Sequence, residues 1–355
     1  MDALLARWQQ RIRAAADAGE HLALQGSGSK AFYGGTISGT PFEVAAYRGI
    51  VAYEPTELVV TARAGTTLSE LSAVLAERGQ WLPCEPPHFG PSATVGGMLA
   101  CGLSGPGRAA AGAVRDFVLG VKLLTGNGEV LSFGGQVMKN VAGYDVARLI
   151  AGSLGTLALI LEVSLKVLPR PLAEKSVRLA VDEREALSRL NRWGGQPLPI
   201  SASAWHQGEL TVRLSGAAAA VAAARERLGG ETLAENEAAA FWQSLREQTH
   251  DFFNGEVPLW RLSLPSVAAP QALGATLIEW GGAQRWLRGG DPATYRAAAS
   301  AAGGHATLFR GDPALKAAVG VFQPLNAPLL RIHRRLKTAF DPRGVFNPGR
   351  LYPDF

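Results

Sequence analysis

Three glycine-rich stretches hold the residues best suited to chemistry. Gln25-Gly26-Ser27-Gly28-Ser29-Lys30 follows a short apolar run. Successive backbone N–H groups in such a turn can converge on an anion, and glycine admits phosphate oxygens that a Cβ would exclude. Ser27 and Ser29 add hydroxyl donors. The second stretch, Pro91-Ser92-Ala93-Thr94-Val95-Gly96-Gly97, starts about 65 positions later and continues through Cys101-Gly102-Leu103-Ser104-Gly105-Pro106-Gly107. The third, Gly152-Ser153-Leu154-Gly155-Thr156, leads into an apolar run that begins Leu157-Ala158-Leu159. One such turn alone is equally well an ordinary bend. Two in a single domain could clasp one diphosphate from two sides, and a third strengthens that reading.

These stretches need a frame. Residues 2–18 place Leu4, Leu5, Trp8, Ile12 and Ala15 at helical spacing. Residues 22–25 and 59–64 read as strands. Thr67 followed by Glu70 marks a capping box for a helix that buries Leu68, Leu71 and Leu75 and ends at Gly79. Residues 83–107, rich in proline, glycine and small side chains, read as one long functional loop. Residues 118–124 and 129–133 flank Thr125-Gly126-Asn127-Gly128, a hairpin signal. Residues 144–150 read as a helix, and residues 157–167 as a long buried strand closed by Pro169 and Pro171.

Beyond Pro171 the pattern changes. Strand-like runs at residues 177–181, 200–205, 210–214, 259–264, 277–280 and 306–310 alternate with helical runs at 183–193, 217–228, 235–249 and 292–302. This predicts an antiparallel sheet with helices on one face, and an α+β fold overall. The expected division is residues 1–170, a smaller cap over residues 171–310, and a tail over residues 311–355. The tail carries a helix at 327–339 and then Phe340-Asp341-Pro342-Arg343-Gly344-Val345-Phe346-Asn347-Pro348-Gly349.

Composition removes several functions. The chain has 355 residues, 47% of them hydrophobic and 18% charged, which suits packed domains rather than disorder. Its net charge of +5 is scattered apart from Arg331, Arg334 and Arg335, without the aromatic-studded basic patch of a nucleic-acid binder. Cys84 and Cys101 form neither a CxxC pair nor a disulfide framework, and the six histidines lack metal-ligand spacing. No apolar run is long enough to span a bilayer. The reading is a cytoplasmic protein without metal. Gly26-Ser27-Gly28-Ser29-Lys30-Ala31 matches the spacing G-x-G-x-x-A, but Gly34, Gly35 and Pro41 interrupt the helix that a Rossmann site needs. A P-loop is excluded because its Lys-Ser/Thr ending is missing.

Taken in order, these motifs resemble the vanillyl-alcohol-oxidase (PCMH-type) FAD-binding family. The matching parts are the turn at residues 26–30, Pro91-Ser92-Ala93-Thr94-Val95-Gly96-Gly97, Arg115-Asp116 and Gly152-Ser153-Leu154-Gly155-Thr156-Leu157. Lys139-Asn140-Val141-Ala142-Gly143-Tyr144-Asp145 is similar to a segment of D-2-hydroxyacid and glycolate dehydrogenases, and the terminal Asn-Pro-Gly run is typical too. The resemblance covers residues 20–170 and 320–353. It implies a PCMH-type FAD-binding domain of two subdomains plus the cap, with non-covalent FAD. The first turn would hold the pyrophosphate, with Thr94, Val95, Gly96 and Gly97 on the second side. Gly102, Ser104 and Gly105 would approach the flavin, and Gly155, Thr156, Leu157 and Leu159 would hold it from beneath. Asn347, Pro348 and Gly349 would close the pocket.

Length, the short cap and Gly303-Gly304-His305-Ala306-Thr307 look like the E-type FAD-binding subunits of glycolate oxidase complexes. That likeness implies oxidation of glycolate to glyoxylate, with hydride passing to flavin and electrons leaving to a partner. The implied partners are a larger FAD-binding catalytic paralogue and an iron–sulfur subunit. Any membrane contact would be peripheral, through the complex. The cap lacks the Gly-Asp-Gly-Asn-x-His metal motif of many relatives. Oxidation of a small 2-hydroxyacid needs a base for the hydroxyl proton and a cation for the carboxylate. His305 and Arg310 are the best pair on offer, with Arg288 a weaker clamp; an ordinary strand-entry role for His305 competes with this. Two other readings stay open: an autonomous FAD-dependent oxidase of another small alcohol or hydroxyacid, and a non-catalytic flavin-binding assembly subunit.

Overall fold

The computed structural model describes residues 2–135, 145–353 and 355. Of the motif that begins at Lys139, only Asp145 is among them.

Five antiparallel strands form the first sheet, in the order Ile50–Glu54, Val59–Arg63, Leu159–Lys166, Val118–Leu124, Val130–Gly134. The central strand, Leu159–Lys166, serves two cores. Leu159 and Leu161 join Trp8, Ile12 and Leu22, whereas Ile160, Val163 and Leu165 join Leu68, Leu71 and Leu99. The change of face follows from a bulge: Leu161 is the extra residue opposite Lys122 and Leu123. Helix Leu68–Ala76 starts as expected, with the Thr67 side chain accepting the Glu70 N–H at 3.0 Å.

Residues 83–107 are not one loop. Thr94 caps a helix, Val95–Cys101, by accepting the Gly97 N–H at 3.1 Å, and Gly102 ends it in the left-handed region at φ 61°. Tertiary burial of Val95, Met98 and Leu99 overrides the poor helix propensity of two adjacent glycines. The helix expected over residues 144–150 is the shorter Val146–Leu149. Four strands escaped the sequence reading here: Thr40–Glu43, Ile50–Glu54 and the two-residue pair Gln80–Trp81 and Leu168–Pro169. Thr40–Glu43 pairs in parallel with Leu22–Gln25.

The second sheet has eight strands, drawn from residues 173–310. Its strand Glu209–Gly216 shows how alternation sorts the faces. Leu210, Val212 and Leu214 pack with helices Glu183–Gly194 and Ala218–Leu228 on the outer face. Arg213, between them, points inward. There its guanidinium grips Glu85 at 2.7 and 3.0 Å, and Glu85 also accepts the Gly107 N–H at 2.6 Å. Helix Glu235–Glu247 lies on this inner face, not with the other helices: its Trp242 donates to Ser176 at 2.9 Å and packs against Arg213. This helix and the end of the second glycine stretch, through Glu85 and Gly107, thus both cover the inner face.

The tail returns to the start of the chain. Leu22 N–H donates to Val345 at 2.7 Å and Asn347 N–H to Leu22 at 3.0 Å, extending the Leu22–Gln25 pair by a third segment. Helix Ala327–Phe340 anchors it through Lys337, whose ammonium binds Asp341, Thr156 O and Phe346 O at 2.7, 2.7 and 2.9 Å.

Candidate cofactor cleft

The three glycine-rich stretches meet. A cleft is lined by Gln25 to Ala31 from the first, Thr94, Gly97, Ala100 and Cys101 from the second, Leu154 from the third, and Asn347 and Arg350 from the tail. It continues over Gly96 and Gly155 to an apolar end at Val44, Ala64, Leu159 and Ile160. Polar donors at one end and aliphatic walls at the other suit a dinucleotide with a charged middle and flat rings.

Local chemistry explains the shape. A Cβ on Gly26 would stand 2.7 Å from Thr94 Oγ1, so only glycine lets the first two stretches approach. Gly28 has φ +73°, which opens the turn over residues 26–30 without strain. Among the described residues, the N–H groups of Gly26, Ser27, Gly28 and Lys30 have no protein acceptor. Such unpaired backbone donors at the edge of a cleft fit a phosphate. Asn347 ties the rest together: it accepts from Leu24 N–H at 2.8 Å and donates to Leu154 O at 2.7 Å.

The charge is positive. Lys30 is only 6% exposed, and its ammonium binds neutral partners, His88 O at 3.1 Å and Ser29 Oγ at 3.5 Å. Burial pushes its pKa below the ordinary lysine value. Arg350, equally buried, donates to Tyr33 O at 2.5 Å, Ala31 O at 3.3 Å and Gly35 O. The Glu247 carboxylate, held by the His88 and Phe89 N–H groups, offsets part of the Lys30 charge, whereas Arg350 meets only carbonyls; buried cations so placed suit a ligand that supplies negative charge. FAD, with its diphosphate, fits these residues. Burial raises the Cys101 thiol to about 11, so it stays neutral and unreactive, in keeping with a non-covalent cofactor.

Several expected residues stand elsewhere. Val95 points into the core and its N–H bonds Thr66 O, so it fixes the helix rather than a ligand. Pro91 and Ser92 are exposed outside the cleft. Gly102 packs on Gly152, where a Cβ would meet Gly152 N at 3.0 Å. Ser104 accepts the Val114 N–H, and Ser104 and Gly105 line a different cavity. Asp116 accepts the Ala113 N–H, and Arg115 is an exposed neighbour. Thr156 and Leu157 are buried support, and Pro348 and Gly349 form the turn before Arg350. Arg350 was missed; a lone arginine just past the Asn-Pro-Gly run was the available signal.

The expected pair His305 and Arg310 does not converge. Both lie on one strand, His305–Arg310, five residues and thus about 16 Å apart. That exceeds the span of a two-carbon acid. Arg310 stacks on Phe32 at 4.7 Å instead. Arg288 lines a separate hollow beside His206 and His250.

One buried acid has a measurable signature. Glu279 accepts from Trp286 Nε1 at 2.6 Å and Gln284 Nε2 at 2.9 Å, and burial pushes its pKa up to about 7. The fold therefore favours the protonated form. That contribution is complete below the ordinary carboxyl value and is lost as pH rises towards 7, by about 3 kcal/mol. Glu279→Gln removes the loss. Denaturant unfolding of both proteins from pH 4.5 to 7.5 checks this: the variant gains on the parent as pH rises, and a constant difference refutes it.

The comparisons with known proteins agree with this geometry. A family described as FAD binding domain matches residues 6–134. Glycolate oxidase subunit GlcE of Escherichia coli (strain K12) is 52% identical over 337 residues, 94% of this chain and 93% of that protein. Glycolate oxidase subunit GlcD of Bacillus subtilis (strain 168) is 29% identical over 140 residues, 39% of this chain and 30% of that one. Among solved structures, p-cresol methylhydroxylase with substrate bound superposes with TM-score 0.70 at 13% identity, covering 99% of this chain and 87% of that chain, which shows the shared fold.

Proposed function

Because this chain belongs to the glycolate oxidase subunit GlcE family of FAD-binding proteins, we propose that it is an FAD-dependent oxidoreductase subunit of a complex oxidising glycolate to glyoxylate. The observation that carries this is the meeting of three glycine turns and Asn347 around one cationic cleft. Backbone donors of residues 26–30 and the charges of Lys30 and Arg350 hold the diphosphate. Thr94 and Gly97 bound it from the other side, and Gly155 and Leu159 support the cofactor from below. When bound, FAD supplies the two-electron acceptor.

The reading treats residues 1–170 as the FAD domain, 171–310 as the cap and 311–355 as a returning segment. The likeness to a glycolate oxidase D subunit over 39% of this chain supports a larger FAD-binding paralogue as partner. An iron–sulfur subunit would carry electrons onward, since Cys84 and Cys101 cannot build a cluster. No described helix is long and apolar enough to cross a membrane. Two free cysteines are in keeping with a reducing, cytoplasmic setting.

Expression with and without the neighbouring subunits tests the proposal. The purified chain should be yellow, and glycolate under anaerobic conditions should bleach the flavin of the assembled complex. A yellow assembly that glycolate leaves fully oxidised would overturn the substrate.

A further inference from the structure

The cleft is tighter than the cofactor proposed for it. Its two parts hold about 100 and 80 Å³, whereas ligand sites take ~300 Å³ or more. A wall must yield before FAD can enter fully. On the cap side that wall is the strap Glu85-Pro86-Pro87-His88-Phe89-Gly90. The Lys30 ammonium, which lines the cleft, donates to His88 O at 3.1 Å and stands 5.7 Å from the centre of the Phe89 ring. On its other side Phe89 faces a water-sized space that it shares with Trp286 and Phe309 of the inner sheet face. The strap therefore stands between the cleft and the cap.

Its tip is strained and its foot is fixed. Phe89 has φ 52° and Gly90 φ 133°. That region suits glycine but strains a bulky aromatic residue, which stays there only while its surroundings hold it. Three contacts do so. Glu247 accepts the His88 and Phe89 N–H groups at 3.1 and 2.8 Å, Lys30 binds His88 O, and the Phe89 ring packs edge-on against Phe32 at 5.3 Å. At the foot, Glu85 is clamped by Arg213 and the Gly107 N–H, and the fixed φ of Pro86 and Pro87 stiffens the chain up to His88. Gly90 is exposed, and a Cβ there would meet nothing within 4 Å, so the chain has room to pivot. Of the three contacts, an anion in the cleft can take Lys30, because an ammonium binds a charged oxygen more strongly than a carbonyl.

We infer that the strap over residues 85–90 is a gate worked by the cofactor. Closed, it sets Phe89 between the cleft and the inner face of the cap. A diphosphate in the cleft draws Lys30 off His88 O. His88 and Phe89 then leave Glu247, and the tip swings out about Gly90. Opening relieves the strain at Phe89 and joins the cleft to the cap. The inference rests on the proposed function, because it takes FAD as the guest.

Two measurements on the full chain test it. Hydrogen exchange isolates the tip, because Pro86, Pro87 and Pro91 carry no N–H. Adding FAD should speed exchange at His88 and Phe89 while slowing it over residues 26–30. Slower or unchanged exchange at His88 and Phe89 in the FAD-bound chain overturns the gate. In stopped-flow mixing, the rate of FAD uptake should reach a ceiling as FAD rises, since opening limits it. Phe89→Gly removes both the plug and the strained side chain, and should raise that ceiling about tenfold. FAD uptake at equal rates by parent and variant overturns the gate and leaves the cofactor reading standing. No uptake by either one defeats the cofactor reading, and the gate with it. Uptake by Phe89→Gly alone supports both.

Discussion

A Gly97→Asp chain should purify colourless. Gly97 lines the cleft in the first turn of helix Val95–Cys101, and its Cβ position is 3.1 Å from Thr94 Oγ1. An aspartate there sets a carboxylate against the phosphates that the turn over residues 26–30 would hold. At ~5 Å and an effective dielectric of ~20, the repulsion is about 3 kcal/mol per phosphate charge. Against two charges the affinity for FAD falls on the order of 10⁴-fold. Gly97→Ala adds only a methyl group and should stay yellow with modestly weaker binding. Visible absorbance and an FAD titration read both variants, and a yellow aspartate variant would remove the second stretch from the site.

Asp341→Ala should be the most destabilising change in the tail. The Asp341 carboxylate is 1% exposed, pairs with Lys337 at 2.7 Å, and accepts the Val345 and Phe346 N–H groups at 2.9 and 2.8 Å. Its loss strands a buried ammonium and two backbone donors, at about 3–5 kcal/mol. The segment released is the one that carries Asn347 and Arg350 to the cleft. FAD binding should therefore weaken along with stability. Replacing both partners, as Lys337→Met with Asp341→Leu, should recover part of the stability because no lone charge stays buried. Urea denaturation measures the series, and a cost below about 1 kcal/mol for Asp341→Ala would contradict the anchoring role.

Long, strongly patterned segments were legible. The apolar run over residues 157–167 and the Thr67 capping box could be read from local sequence alone, and strand Leu159–Lys166 and helix Leu68–Ala76 are both present. Helix Val95–Cys101 was hidden because Gly96 and Gly97 lower local propensity, and burial that the sequence does not display restores it. Strand Gln284–Arg288 was hidden by Arg285, a charged residue only 1% exposed, whose guanidinium is satisfied by the Ala268 and Ala269 carbonyls. Strand Thr40–Glu43 carries Pro41, which reads as a breaker but is tolerated at a sheet edge.

The same contrast holds at the site. Glycine turns are local devices, so Gly26, Gly28, Thr94 and Gly97, which line one cleft, could be picked from short motifs. Arg350 donates to carbonyls more than 300 positions away. No spacing rule reports such contacts. His305 and Arg310 were paired by chemical type, and the rise of an extended strand keeps them apart.

Crystals of the chain grown with FAD give the most direct test. The account predicts diphosphate density between the N–H groups of residues 26–30 and the Thr94-Gly97 turn, within reach of Lys30. Density for the cofactor anywhere else, or a cleft closed by its own side chains in the presence of saturating FAD, would contradict it.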